Sequence, residues 1–320
     1  INAICSDMLG IQNSTAISGG DNAGAYAILH AANAIAAGNS KVALVVGVEK
    51  MSDLSVNETT EISSQLIDYE NEASQGATLA SQYAMITQRH MKDHGTTQNQ
   101  LDAVSVKNHA NAAENEIAQF RFKITSSDIS KSPMVASPIR VLHSAAASDG
   151  CCAQIMCNGD LSKKYKNKIN LIGHGIGSDS LAVHEREDIT SFRSVKEAAQ
   201  KAFKRAGIKA IDINFAEIHD VFSISEIISL EDIGFVKKGE AGKIVESGKT
   251  DIHGKLPVNP SGGLKGCGHP FAASGIRQAI EVFQQLNNLA GKRQVNNAKY
   301  ALTQSLSGTG SNAVVNIFSK

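Results

Sequence analysis

The chain has 320 residues, 31 basic and 31 acidic side chains and no tryptophan. That length suits two domains of ordinary size. A formal charge of zero and few aromatics exclude a nucleic-acid surface or an acidic tail, and no apolar run reaches the roughly 18 residues that cross a bilayer. The five cysteines (Cys5, Cys151, Cys152, Cys157 and Cys267) form no regular framework. An odd count beside a large core predicts reduced thiols and a cytoplasmic location, with no signal peptide visible.

In chain order, residues 14–18 read as a short strand. Residues 22–37 are alanine-rich and end at Gly38, as a helix does. Residues 42–48 are a continuous valine-rich run, expected to be a strand buried on both faces of a parallel sheet. A longer, more polar excursion covers roughly residues 52–142 and contains helical patterns at 78–90 and 98–112. Residues 150–157 (GCCAQIMC) are expected to be a buried strand rather than a metal site. The basic stretch 163–168 (KKYKNK) reads as a solvated linker, with docking of a phosphate as the alternative.

A second domain follows. Residues 169–173 and 213–218 are strand-like. Residues 194–206 form an amphipathic helix with Ser194 as its N-cap. A helix is expected from Phe222, another over 272–286, and the last strands over 300–304 and 313–318. Strands alternating with helices imply crossovers and layered sheets.

Two histidines stand at strand-to-helix junctions. His269 lies in residues 259–275 (NPSGGLKGCGHPFAASG), after a glycine-rich loop and before an apolar helix. Glycines there let backbone approach a ligand closely, and Pro270 begins a helix without wasting an amide. His219 lies in residues 217–226 (EIHDVFSISE), where a strand ends and a helix begins. Two imidazoles held in this way suggest a site for a developing oxyanion.

These segments resemble thiolases. The Gly-His-Pro around His269 resembles a motif of that family, and the segment around His219 resembles the His-Asp-Cys-Phe of its sterol-carrier-protein-type and archaeal branch. Residues 44–52 (LVVGVEKMS), 119–122 (QFRF), 132–138 (SPMVASP) and 148–150 (SDG) resemble family segments in the same order. The resemblance runs from about Leu9 to the C-terminus. It implies an α/β fold with α-β-α-β-α layers made of two related domains. The N-terminal domain, residues 1–160, would lack its first two strands and helices and carry a loop domain over about 52–142. The C-terminal domain would be residues 168–320. A chain beginning at Ile1 then reads as truncated, processed or partial.

A thiolase uses a cysteine nucleophile at a helix N-terminus, an imidazole to activate it, donors for the thioester oxygen and a second thiol. Counting back from Gly38 and forward from Leu9 places the nucleophile at Asp21; a competing register places it at Ala16. Neither residue is a cysteine. Asp21 has a plain role as N-cap or first-turn anion, a functional one as general base, and a poorer one as a carboxylate nucleophile. The second thiol falls on Val221 or Ser305. By resemblance, His269 would point at the thioester oxygen and His219 would hold a water against it. The backbone amides of Asp21 and Ser307 would form a second hole, with Gly268, Gly308 and Phe222 lining the substrate. Asp220 is a cap. Cys267 sits in the preceding loop and Met51 and Met134 are packing residues. The resemblance implies acyl-CoA as ligand, no cofactor beyond that coenzyme A, no metal, and a homodimer or dimer of dimers. The expected function is an acetyl-CoA acyltransferase by resemblance, with lost or altered transferase activity. The alternatives are a non-catalytic scaffold for an OB-fold, zinc-ribbon partner and a carbon–carbon lyase acting on β-hydroxyacyl-CoA.

Overall fold

In a computed structural model that describes residues 2–11 and 13–320, four layers stack around two apolar cores. The first layer is the antiparallel pair β1 (Val42–Glu49) and β4 (Gly150–Cys157). Between them in sequence, β2 (Met134–Ala136) and β3 (Ile139–Arg140) form a small hairpin. The second layer holds the helices Ala23–Ala36 and Phe271–Leu286. The third is a four-stranded sheet in the order β5 (Asn170–Ser178), β8 (Asn312–Ser319), β7 (Tyr300–Ser307), β6 (Phe215–Ile218). The helices Arg193–Ala206 and Ser223–Asp232 cover its other face. The layered α/β arrangement expected from the sequence is present.

Alternation along the strands divides the cores. On β8, Ala313, Val315 and Ile317 face the helix Arg193–Ala206, while Phe318 packs with Ile276, Val282 and Leu286 of the central helix. That is the two-sided burial a central strand requires. On β5, Gly173, Gly175 and Gly177 recur at every second position. A Cβ on Gly175 would lie 2.0 Å from the Ala198 carbonyl oxygen, and one on Gly177 equally close to that of Ser194. The helix therefore rests directly on strand backbone. Gly175→Ala is expected to destabilise the protein by about 3 kcal/mol, since neither backbone can yield. Thermal unfolding would show it as a Tm lowered by roughly 6–12 °C, and an unchanged Tm would contradict this packing.

Several sequence expectations are corrected. Residues 13–19 form no strand, because no neighbouring strand pairs with them. β1 is antiparallel to β4 and buried on one face only: Val42, Leu44, Val46 and Val48 are exposed, as is Ile155 on β4. A valine run marks a doubly buried strand only where both faces are covered, and here helices cover one. The sheet β5–β8–β7–β6 is mixed, with only β6 and β7 parallel. Ser194 does not cap its helix, whose N-cap is Phe192; its hydroxyl donates to the Gly310 carbonyl at 2.6 Å instead.

Candidate active site

His219 follows directly from β6. Its amide donates to Gln304 Oε1 on β7 (2.9 Å), and its carbonyl accepts from Ser225 Oγ (3.1 Å). The next residue, Asp220, is buried. Its Oδ1 accepts the Leu264 amide at 2.6 Å, and Oδ2 accepts that of Lys265 and Asn108 Nδ2. This carboxylate ties the His219 junction to the loop that carries His269. On that loop the His269 amide donates to the Ala146 carbonyl (2.9 Å). Gly268 adopts φ +86°, where a Cβ would collide with Ser148 Oγ at 2.4 Å. These contacts aim both rings at one point. The ring centroids lie 5.1 Å apart at 87°.

Asp21 lies at that point. It sits in the short 3-10 turn Gly20–Asn22 that leads into the helix Ala23–Ala36 and is 1% exposed. It is the acidic residue of the first turn, as expected, and its carboxylate faces the imidazoles. Oδ2 is 3.6 Å from His219 Nε2 and 3.8 Å from His269 Nε2. Oδ1 accepts the Gly308 amide at 3.3 Å. Burial alone would raise the Asp21 carboxyl, but the two facing imidazoles outweigh it and hold the group well below the usual carboxylate range. Burial lowers His269, overriding the upward pull of Asp21.

The amide that bonds this carboxylate is that of Gly308, next to the expected Ser307. Gly308 has φ +55°, and a Cβ there would sit 2.1 Å from the Leu66 carbonyl oxygen, so glycine is needed. Ser307 ends β7, beside a cleft of about 500 Å³ also bounded by Ile17, Gly19, Tyr26, His30 and Asn312. Phe222 is buried, its ring 4.6 Å from that of Tyr83. Tyr83 Oη in turn donates to the Gly308 carbonyl at 2.9 Å. Ala16 and Met134 are exposed and Met51 is buried. Sequence reasoning missed Tyr83 and Gln304, since neither belongs to a recognisable motif, and left Ser274 unassigned although it lies five residues after His269 in the same segment.

Among the described residues no thiol joins this group. Cys267 Sγ donates to the Ser261 carbonyl (3.0 Å) and accepts from Asn115 Nδ2 (3.4 Å). Burial pushes its thiol up to about 11, so it carries almost no thiolate at neutral pH. Val221 is buried, and Ser305 Oγ is bound to Gln278 Oε1 at 2.7 Å.

Two family descriptions match the chain: "Thiolase, N-terminal domain" over residues 9–142 and "Thiolase C-terminal domain-like" over residues 175–320. An acetyl-CoA acetyltransferase of Methanothermobacter thermautotrophicus is 43% identical over 100% of this chain and 84% of that protein. Sterol carrier protein 2 of Gallus gallus is 32% identical over 74% of this chain and 44% of that protein. Among solved structures, the Ltp2-ChsH2(DUF35) aldolase superposes with a TM-score of 0.85 at 22% identity, covering 97% of this chain and 82% of the other. Human mitochondrial 3-ketoacyl-CoA thiolase gives 0.71 at 15% identity, covering 100% and 82%.

Proposed function

The chain belongs to the thiolase family, and from that premise we propose that it binds an acyl-CoA thioester without the cysteine-dependent acyl transfer. One observation carries this reading: a carboxylate, Asp21, stands between His219 and His269, and among the described residues no thiol stands with it. An acyl-enzyme thioester needs a thiolate, and a carboxylate in its place would give a mixed anhydride that water destroys. The imidazole Nε2 atoms of His219 and His269 lack hydrogen-bond partners, which suits them to a carbonyl oxygen. The acetyl-CoA acetyltransferase name of the 43% identical relative supports coenzyme A thioesters as the ligand class.

A second reading, a carbon–carbon lyase on β-hydroxyacyl-CoA, is favoured by the ionised carboxylate beside two imidazoles. A base there would take the β-hydroxyl proton. The Cα–Cβ bond would break, a carbonyl would form at Cβ, and the electron pair would pass to the thioester enolate, protonated to acyl-CoA. The superposing structure named an aldolase supports it, and its DUF35 component supports a partner protein for this chain, in keeping with the expected OB-fold, zinc-ribbon subunit. The exposed row on β1 supports burial against another chain, with a homodimer as the default form.

The test is calorimetry with acetoacetyl-CoA beside a thiolysis assay with free CoA. The expected result is micromolar binding and no acetyl-CoA released. Thiolysis by the unaltered protein would overturn the loss of transfer, and absence of binding would overturn the acyl-CoA reading. Release of a carbonyl product from a β-hydroxyacyl-CoA would select the second reading.

A further inference from the structure

The geometry points to a binding site for one divalent transition cation of the zinc class, with Asp21, His219 and His269 as its three protein ligands. The sequence led to the expectation of no metal, because positions 21, 219 and 269 form no spaced ligand motif and only the fold brings them together.

The ligand atoms of the three residues lie within 4.8 Å of one another, and all three side chains are buried. The carboxylate-to-imidazole separations, 3.6 and 3.8 Å, are too long for charge-assisted hydrogen bonds, which close to about 2.7–2.9 Å. They are close to the roughly 3.4 Å edge that two ligands at about 2.1 Å make around a tetrahedral ion. Contraction by a few tenths of an ångström on these two edges, with the imidazole–imidazole edge closing from within 4.8 Å, would seat a cation.

The second observation is that both imidazole Nε2 atoms are buried without a hydrogen-bond partner and face the same carboxylate. The other ring nitrogen of His269, Nδ1, lies 2.7 Å from the Ser274 hydroxyl. A polar group behind the ring that orients it is the support metal-binding histidines receive. In the tautomer that carries its proton on Nδ1, His269 presents an Nε2 lone pair to the cation. Two imidazoles and one carboxylate favour zinc, cobalt or iron(II) over magnesium or calcium, which prefer all-oxygen shells. Three protein ligands leave a position for a water or for a substrate oxygen. This inference goes beyond the acyl-CoA reading and stands without it, because its test contains no substrate.

Chelator-stripped protein is equilibrated with Zn²⁺, dialysed, and its metal content measured beside Asp21→Asn, His269→Gln and the distant control His184→Ala. Co²⁺ replaces Zn²⁺ for a visible absorption spectrum. The expected result is one equivalent per chain in the unaltered protein and the control, and at least a tenfold loss of affinity in both site variants. The Co²⁺ band should disappear with them. Circular dichroism confirms that each variant is folded, and a Zn²⁺-dependent rise in Tm, present in the unaltered protein and absent in Asp21→Asn, gives a second readout. Metal content below a tenth of an equivalent, or equal retention by folded Asp21→Asn, would overturn the site.

Discussion

Asp21→Cys is expected to form a stoichiometric acetyl adduct with acetyl-CoA, where the unaltered protein forms none. The residue lies in the first turn leading into Ala23–Ala36, where the helix dipole favours an anion. Both imidazoles that now flank the carboxylate would flank a thiol and hold it as thiolate. The thiolate attacks the acetyl carbonyl carbon, the bond to coenzyme A sulfur breaks, and coenzyme A leaves as thiolate. The reaction should stop after one acetyl group per chain. A second acid–base thiol is lacking, since Val221 cannot exchange a proton and the Ser305 hydroxyl is held by Gln278. Intact-mass spectrometry reads the adduct. Iodoacetamide should alkylate the new thiol at least about a hundredfold faster than Cys267, whose thiolate fraction is negligible. A folded variant that captures no acetyl group would show that the carboxylate does not stand at an acyl-accepting position.

The sequence makes some of this site legible and hides the rest for physical reasons. His219 and His269 are visible because each stands in a local pattern, a strand end or a glycine loop next to a helix, and local patterns dictate local backbone. Asp21 is reached by counting along an uninterrupted helix. The structure brings these three together through contacts distant in sequence. The Gly308 amide at Asp21 and the Tyr83 hydroxyl that steadies Gly308 are of that kind. Neither has a spacing rule, because each belongs to a different element. The misread strands have another cause. Hydrophobic runs report propensity, whereas burial depends on which layers lie above and below. β1 therefore has the composition of a core strand and an exposed face. The alternate glycines of β5 were equally open to inspection, yet their meaning depends on a helix some 20 residues onward.

The support beneath the histidines predicts a large loss of stability when Glu226 is replaced. Its carboxylate is fully buried on the helix Ser223–Asp232. Oε1 lies 2.8 Å from Lys107 Nζ, and Oε2 accepts Asn108 Nδ2 and Asn259 Nδ2, each at 2.8 Å. Asn108 also binds Asp220, and Asn259 receives the Ile218 amide at 2.7 Å. The Glu226 network thus connects the end of β6, the His219 junction and the loop leading to His269. Glu226→Ala leaves the Lys107 ammonium buried with only the Val258 carbonyl as partner. An uncompensated buried charge costs about 3–5 kcal/mol, more than the carboxylate's own hydrogen bonds contribute. Tm should fall by roughly 10 °C. The attribution to charge rather than to lost packing is tested by pairing Glu226→Leu with Lys107→Met. Removing both charges should recover most of the loss, because desolvation of the pair offsets much of its attraction. If the double variant is as unstable as the single, the packing of this helix, and not the stranded ammonium, sets the cost. If Glu226→Ala alone melts within about 1 °C of the unaltered protein, the network is not what holds the two imidazoles in place.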